Sequence, residues 1–179
     1  CAMVPGVTTM GAGKSAGTVS RHSTELPMGL PSMGAAGELT LNGVTDISDV
    51  TLTLNALPGG TITQQAGITG NGGFNDNLLL TGGGSISLDA ANTYHGITLI
   101  DNGTTVSGSV TNALPTFNGR SAIKMDLSGP GSSTLDLSGA TQAVSSLASN
   151  QASSEIHLGN FDLTIGHGTG TNANGEADA

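Results

Sequence analysis

Residues 50–63 read Val50-Thr51-Leu52-Thr53-Leu54-Asn55-Ala56-Leu57-Pro58-Gly59-Gly60-Thr61-Ile62-Thr63. Leucine alternates with threonine, then Pro58-Gly59-Gly60 interrupts, and alternation restarts at Thr61. Successive side chains of a strand point to opposite faces, so this pattern sends Leu and Ile one way and Thr the other. Pro58 ends the run and the glycines supply the positive φ that a sharp corner needs. The unit is therefore a short strand, a tight corner and another short strand.

The same unit recurs on both sides. Glu38-Leu39-Thr40-Leu41 stops at Asn42-Gly43. Downstream come Ile68, Asn77 to Leu80, Ser85-Ile86-Ser87-Leu88, Gly96 to Ile100 and Thr104-Thr105-Val106. Further on lie Ile123-Lys124-Met125-Asp126-Leu127, Thr134-Leu135-Asp136-Leu137, Glu155-Ile156-His157-Leu158 and Asp162-Leu163-Thr164-Ile165. Nearly every run ends at Gly or Asn. Helix signals are close to nil; only 140–152 is compatible with a turn or two, without a good apolar stripe. Two local repeats stand out: Asp126-Leu127-Ser128-Gly129 returns as Asp136-Leu137-Ser138-Gly139, and Asn55-Ala56-Leu57-Pro58 as Asn112-Ala113-Leu114-Pro115. Short runs, scarce aromatics and local repeats favour a β-solenoid over a sandwich or a barrel. Each coil would bury a row of Leu, Ile and Val and expose Thr, Ser and Asp, giving about six coils over 37–166 near the short end of the ~20–45 residue repeat range.

Composition narrows the function. The 179 residues hold four Lys or Arg against 13 Asp or Glu, a net charge of -9, with 29 Gly, three Phe, one Tyr and no Trp. Four cations cannot build the basic face that nucleic acid requires, nor grip anionic lipid. At 36% hydrophobic and 9% charged, the chain is not a charge-driven disordered segment. Residues 1–36 have a different character. Pro5, Pro27 and Pro31 and four of the five Met fall there, so they read as an irregular leader or first turn. Residues 37–166 form the β region, and 167–179 read as a polar tail or linker. Cys1, the single cysteine, excludes an intrachain disulfide; it is either a trimmed end or the lipidated first residue of a mature bacterial lipoprotein. With no initiator Met, signal segment or spanning apolar run, the chain reads as an excised or processed piece of something larger.

The segment 81–115, TGGGSISLDAANTYHGITLIDNGTTVSGSVTNALP, closely resembles the autotransporter-associated β-strand repeat through Ala91-Asn92-Thr93-Tyr94 and Asn112-Ala113-Leu114. Residues 133–166 resemble that family's common sequel, a Leu-Asp-Leu strand, a Gln-x-Val-x-Ser-Leu run and a Leu-Thr-Ile-Gly close. His95-Gly96-Ile97 departs from the usual Thr-Gly-Gly turn. The resemblance spans roughly half the chain. It implies a right-handed parallel β-helix in the passenger of a type V secreted bacterial protein, displayed at the cell surface or released, with an outer-membrane β-barrel as its usual anchor. The expected work is that of a structural stalk and adhesion or interaction surface. Partners would be host or neighbouring-cell surface molecules, or further copies.

Chemical motifs are thin. Gly11-Ala12-Gly13-Lys14-Ser15 resembles the end of a phosphate-binding loop, but the Gly needed five residues before Gly13 is Thr8. His22, His95, His157 and His167 stand alone, and His157 is expected to point outward between Ile156 and Leu158. Asp126 and Asp136 occupy equivalent repeat positions and are expected as solvated outward acids, with a calcium-binding carboxylate stack as the alternative. Asp46 and Asp49 read as a turn. Gly82-Gly83-Gly84-Ser85 runs straight into a strand and makes no nucleophile elbow. The alternative function, a β-helical polysaccharide lyase or hydrolase, would draw on Arg120 and Lys124 near Asp126. Two cations on an acidic surface are a poor grip for an anionic polymer, so neither enzymatic activity, cofactor nor metal is expected.

Overall fold

The alternation of Leu, Ile and Val with Thr and Ser becomes seventeen short strands in a computed structural model that describes residues 37–71, 75–115, 121–127 and 131–166, with the backbone of 17–19 and 32–35. They are β1 (Gly17–Val19), β2 (Ser32–Ala35), β3 (Glu38–Leu41), β4 (Thr45–Asp46), β5 (Thr51–Ala56) and β6 (Thr61–Gln64). Next come β7 (Ile68–Thr69), β8 (Asn77–Thr81), β9 (Ser85–Leu88), β10 (Thr98–Ile100), β11 (Thr105–Gly108) and β12 (Ala122–Met125). The last are β13 (Thr134–Asp136), β14 (Gln142–Val144), β15 (Ser146–Ser149), β16 (Glu155–His157) and β17 (Leu163–Ile165).

Every pairing among them is parallel, and each strand pairs with one that lies a full turn away in sequence. A seven-stranded sheet runs β1-β3-β6-β9-β11-β13-β16, and a six-stranded sheet runs β15-β12-β10-β8-β5-β2. The third side is shorter, built from β4-β7 and β14-β17. Between those pairs, residues 92–93 bridge: Thr93 N donates to Ile68 O, and Asn92 N to Asn112 O, both at 2.9 Å. This is a parallel β-solenoid. Following the seven-stranded sheet, the chain advances 23 residues from Glu38 to Thr61, 24 to Ser85, 20 to Thr105, 29 to Thr134 and 21 to Glu155. The six rungs from β3 to β16 thus bound five turns, with β1 as a further rung before them, close to the six coils expected over 37–166.

In-register stacking lines up like side chains. One inward column runs Leu39, Ile62, Ile86, Val106, Leu135 and Ile156. All but the last are nearly or fully buried. Another runs Leu54, Leu80, Ile100 and Met125, none more than 1% exposed. Burying each such side chain stabilises the stack by roughly 1.5–3 kcal/mol. Strands of two to six residues suffice because each coil borrows its apolar contacts from the coils on either side. Among the described residues the interior takes one ring: Tyr94 is fully buried, with its hydroxyl 2.6 Å from Thr98 Oγ1. Burial pushes its phenol pKa up, more than that hydrogen bond lowers it.

The corners use the residues that tolerate positive φ. Besides glycine, Asp49, Asn102, Asn112 and Asp126 adopt φ of 58, 61, 60 and 51°. No helix occurs among the described residues, so the turn or two of helix allowed for 140–152 is replaced by β14 and β15. The reason is tertiary: β15 is held in register on β12, Ala122 to Met125, and that template overrides a neutral local propensity. Within 1–36, β1 pairs with β3 and β2 with β5; the rest of that stretch and the tail 167–179 lie outside the described residues. No helix among the described residues is long and apolar enough to cross a membrane.

Candidate functional site

The outward side of the seven-stranded sheet carries two parallel rows of short polar side chains. The first is Glu38, Thr61, Ser85, Thr105, Thr134 and Glu155; the second is Thr40, Thr63, Ser87, Ser107, Asp136 and His157. Strand geometry sets about 4.7–4.9 Å between neighbours in a row and about 6.6–6.8 Å between rows. Ser85 and Thr105 are exposed, and the other central hydroxyl residues are half-buried. Neighbouring hydroxyls pair along the row, Ser107 Oγ donating to Ser87 Oγ at 3.2 Å. At the rim, Asp89 Oδ1 accepts from Ser87 Oγ at 2.5 Å and from Ser109 Oγ at 2.7 Å. Neither Lys nor Arg occurs in the described strands of this sheet, while Glu38 lies one strand in from β1 and Asp136, Glu155 and His157 lie on the last two strands at the other end. The centre is thus a neutral, hydrogen-bonding face about two rows wide, with acids towards each end.

The opposite large sheet differs. Its outward row runs Thr53, Leu79, Leu99, Lys124 and Ala148, so Lys124 sits between aliphatic neighbours and away from the acids of the hydroxyl face. Arg120, the other residue of the polysaccharide-active alternative, lies outside the described residues, as do His22, His167 and the 11–15 loop. His157 is outward and exposed as expected, with Nε2 3.0 Å from Glu155 Oε2. Asp46 and Asp49 form the expected turn: Asp46 Oδ1 accepts from Ser48 N and Oγ, and Asp49 Oδ2 from Asn71 Nδ2. Gly82 to Gly84 make the corner from β8 into β9, where Ser85 begins a strand. No group of three or more His, Cys, Asp or Glu with metal-ligating geometry occurs among the described residues.

Inside the coil, polar side chains do a different task. Asn92 Oδ1 accepts from Gln64 Nε2 at 2.8 Å and from Ile68 N at 2.7 Å, while Asn92 Nδ2 donates to Ala113 O at 2.6 Å. One amide therefore ties three consecutive coils, and it joins the two halves of the repeat motif, 91–94 and 112–114. Gln142 repeats the device two turns later: its Nε2 donates to Val110 O at 2.6 Å, and its Oε1 accepts from Leu114 N at 3.3 Å. Both side chains are 2% exposed or less. The alternation rule assigns polar residues outward, so neither amide is visible as interior from spacing alone; the motif itself is the only sequence signal.

Asp126 departs more sharply from its expected position. It is 1% exposed, not a solvated outward acid, while Asp136 stays outward on β13 with Oδ1 accepting from Ser138 N and Oγ. The two carboxylates do not stack. The cause is backbone: β12 ends at Met125, and the left-handed turn at Asp126 swings its carboxylate away from the outer face. There it accepts from Ser133 N at 2.7 Å, Ser133 Oγ at 2.6 Å and Ser154 Oγ at 2.6 Å, and from the Gly103 N–H. Burial alone would push the carboxyl pKa up; these donors outweigh it and hold it below the ordinary aspartate value.

A depressed folded pKa stabilises above the unfolded value of about 3.9, and the contribution is lost as pH falls through the folded pKa. Acid below about pH 4 is therefore expected to loosen the coils joined by Gly103, Asp126 and Ser154. Asp126→Asn is expected to cost about 2 kcal/mol at pH 7, in line with hydrogen bonds to a charged acceptor, and to flatten the acid transition. Urea titrations at pH 7 and pH 3 check both; equal stability of the variant and parent at pH 7 would refute the role.

No protein-family model, curated protein or solved structure matches this chain.

Proposed function

We propose that this chain is a passenger segment of a surface-displayed or secreted bacterial protein of the autotransporter kind, working as a stalk and interaction surface. The observation that carries the reading is the pair of in-register hydroxyl rows, Thr61, Ser85, Thr105 and Thr134 beside Thr63, Ser87 and Ser107. The resemblance of 81–115 to the autotransporter-associated repeat supports the family part of this reading, and the parallel solenoid supports the stalk shape. Adding a coil lengthens such a stack by about one strand spacing without widening the core, which suits a stalk. A flat neutral face binds through many weak hydrogen bonds spread over area, which suits the glycan or protein coats of host or neighbouring cells.

The test is display of the chain on cells that otherwise lack adhesion, scored by settling and by retention on other cells. Replacing Thr63, Ser85 and Thr105 together by Lys leaves the inward columns untouched. Retention is expected to fall about tenfold or more, since roughly 1.4 kcal/mol of lost hydrogen bonding already gives that factor. Retention equal to the parent, with the β-sheet circular dichroism intact, would remove the hydroxyl face from the proposal. Release of reducing ends from a polysaccharide panel would instead favour the lyase or hydrolase reading.

A further inference from the structure

Asn102 and Gly103 form the corner between β10 and β11, and Asn102 is exposed there with φ 61°. An exposed Asn-Gly pair carries a reaction of its own. The Gly103 nitrogen can attack Asn102 Cγ, since glycine has no Cβ to stand in the way. A bond forms between Gly103 N and Asn102 Cγ, the Cγ–Nδ2 bond breaks, and the side-chain amide leaves as ammonia with the proton from the backbone nitrogen. Water then opens the cyclic imide. Opening on one side leaves aspartate at 102; opening on the other leaves isoaspartate, with the main chain routed through the side chain.

The following coil holds the attacking nitrogen back in two ways. The Gly103 N–H donates to the Asp126 carboxylate, which is 1% exposed. That carboxylate is itself fixed by Ser133 N at 2.7 Å and by Ser133 Oγ and Ser154 Oγ, both at 2.6 Å. Held below the ordinary aspartate value, it is also a poor base for the proton that must leave. Gly131 packs on the same peptide: a methyl group built on it would meet Gly103 N, and Asn102 C at 2.8 Å. Nearer links fix the rest of the corner. Asn102 N donates to Asp101 Oδ1 at 2.9 Å, while Thr104 Oγ1 donates to Asp101 O at 2.7 Å and accepts from Gly83 N at 3.1 Å. To cyclise, Gly103 N must leave its acceptor and turn toward Cγ, and the overlying backbone blocks that turn.

We infer that Asn102 is a latent deamidation site, kept closed by the Asp126 carboxylate and the Gly131 backbone of the next coil and opened when those two coils part. The modification then records the opening and resists its reversal. Either product adds a negative charge at a corner that already holds Asp101 and Asp126, and isoaspartate also lengthens the main chain there.

Incubation of the intact chain in mildly alkaline buffer, followed by peptide mapping with mass spectrometry, tests the inference. Asn42-Gly43 is the other Asn-Gly pair wholly within the described residues and lies several coils away, so it serves as the reference in the same digest. Asn102 is expected to react about tenfold or more slowly in the chain than in a synthetic peptide of residues 97–108, the factor that one hydrogen bond to a charged acceptor supplies. Asp126→Gly keeps the positive φ of that turn but removes the acceptor, and should speed Asn102 about tenfold or more while leaving Asn42 unchanged. Asp126→Asn keeps a neutral acceptor and should fall between. Gly59→Ala loosens a different corner and should leave Asn102 as slow as in the parent, which separates loss of the guard from general loosening. Reaction of Asn102 in the parent at the peptide's rate, no acceleration in the Asp126 variants, or equal acceleration by Gly59→Ala would overturn the inference. If Asp126→Gly loses its β-sheet circular dichroism, the parent, Asp126→Asn and Gly59→Ala make the same decision.

Discussion

Asn92→Leu is expected to lower the stability of the solenoid by about 3–5 kcal/mol, because leucine keeps the branched outline of asparagine but none of its hydrogen-bonding atoms. The loss comes from what the amide leaves behind. Ile68 N and Ala113 O would each be buried without a partner, and Gln64 Nε2 would keep only Ala66 O at 2.6 Å. Each stranded group costs about 1–3 kcal/mol, since a buried N–H without an acceptor or a buried C=O without a donor bears its full desolvation penalty. Asn92 also links a coil to both neighbours, so its removal weakens coupling as well as stability. Solenoid stability is close to a sum of coil and interface contributions, and a weakened interface should split one unfolding transition into two. Urea unfolding followed by far-ultraviolet circular dichroism checks this. A single transition displaced by less than about 1 kcal/mol would show that the amide is not what joins the coils.

Gly82→Ala is expected to cost about 3–5 kcal/mol, through two effects that a second glycine separates. Gly82 has φ +110° at the corner between β8 and β9, and a methyl group built on it meets Asn55 Oδ1 and the backbone oxygen of Ala56. Those atoms belong to the preceding coil, at the corner directly beneath. Strained φ contributes about 1–3 kcal/mol, and overpacking against backbone a similar amount. Gly59 has φ +78° with nothing within 4 Å of a built methyl group, so Gly59→Ala should lose only the conformational part, about 1–2 kcal/mol. Thermal and urea unfolding of the two variants give the comparison. Equal losses would mean that coil-to-coil contact at the 82–84 corner is loose.

Much of the architecture is legible because it is written at short range. Thr51 to Leu54, Thr61 to Thr63 and Ser85 to Leu88 alternate with period two, and their strands follow with the apolar residues inward. Corners at Gly59, Gly82 and Asn102 follow from the few residue types that accept positive φ. The stretch 140–152 is less legible, since Ala, Ser and Gln have no strong preference and its strands exist only against β12 and β17. The hydroxyl face is half legible: each run announces outward Thr or Ser, but not which run lies beside which.

The repeating local choice, strand or corner and inside or outside, is a matter of sequence alone, because each choice depends on two to five adjacent residues. Everything that depends on stacking belongs to the tertiary structure. Turn lengths from 20 to 29 residues leave the register of one coil on the next unreadable from spacing. Asp126 illustrates the difference. Its repeat position matches that of Asp136, yet the donors that bury it come from Ser133, seven residues on, and Ser154, 28 residues on. A carboxylate goes inside only where such donors converge, and convergence is a property of stacked coils.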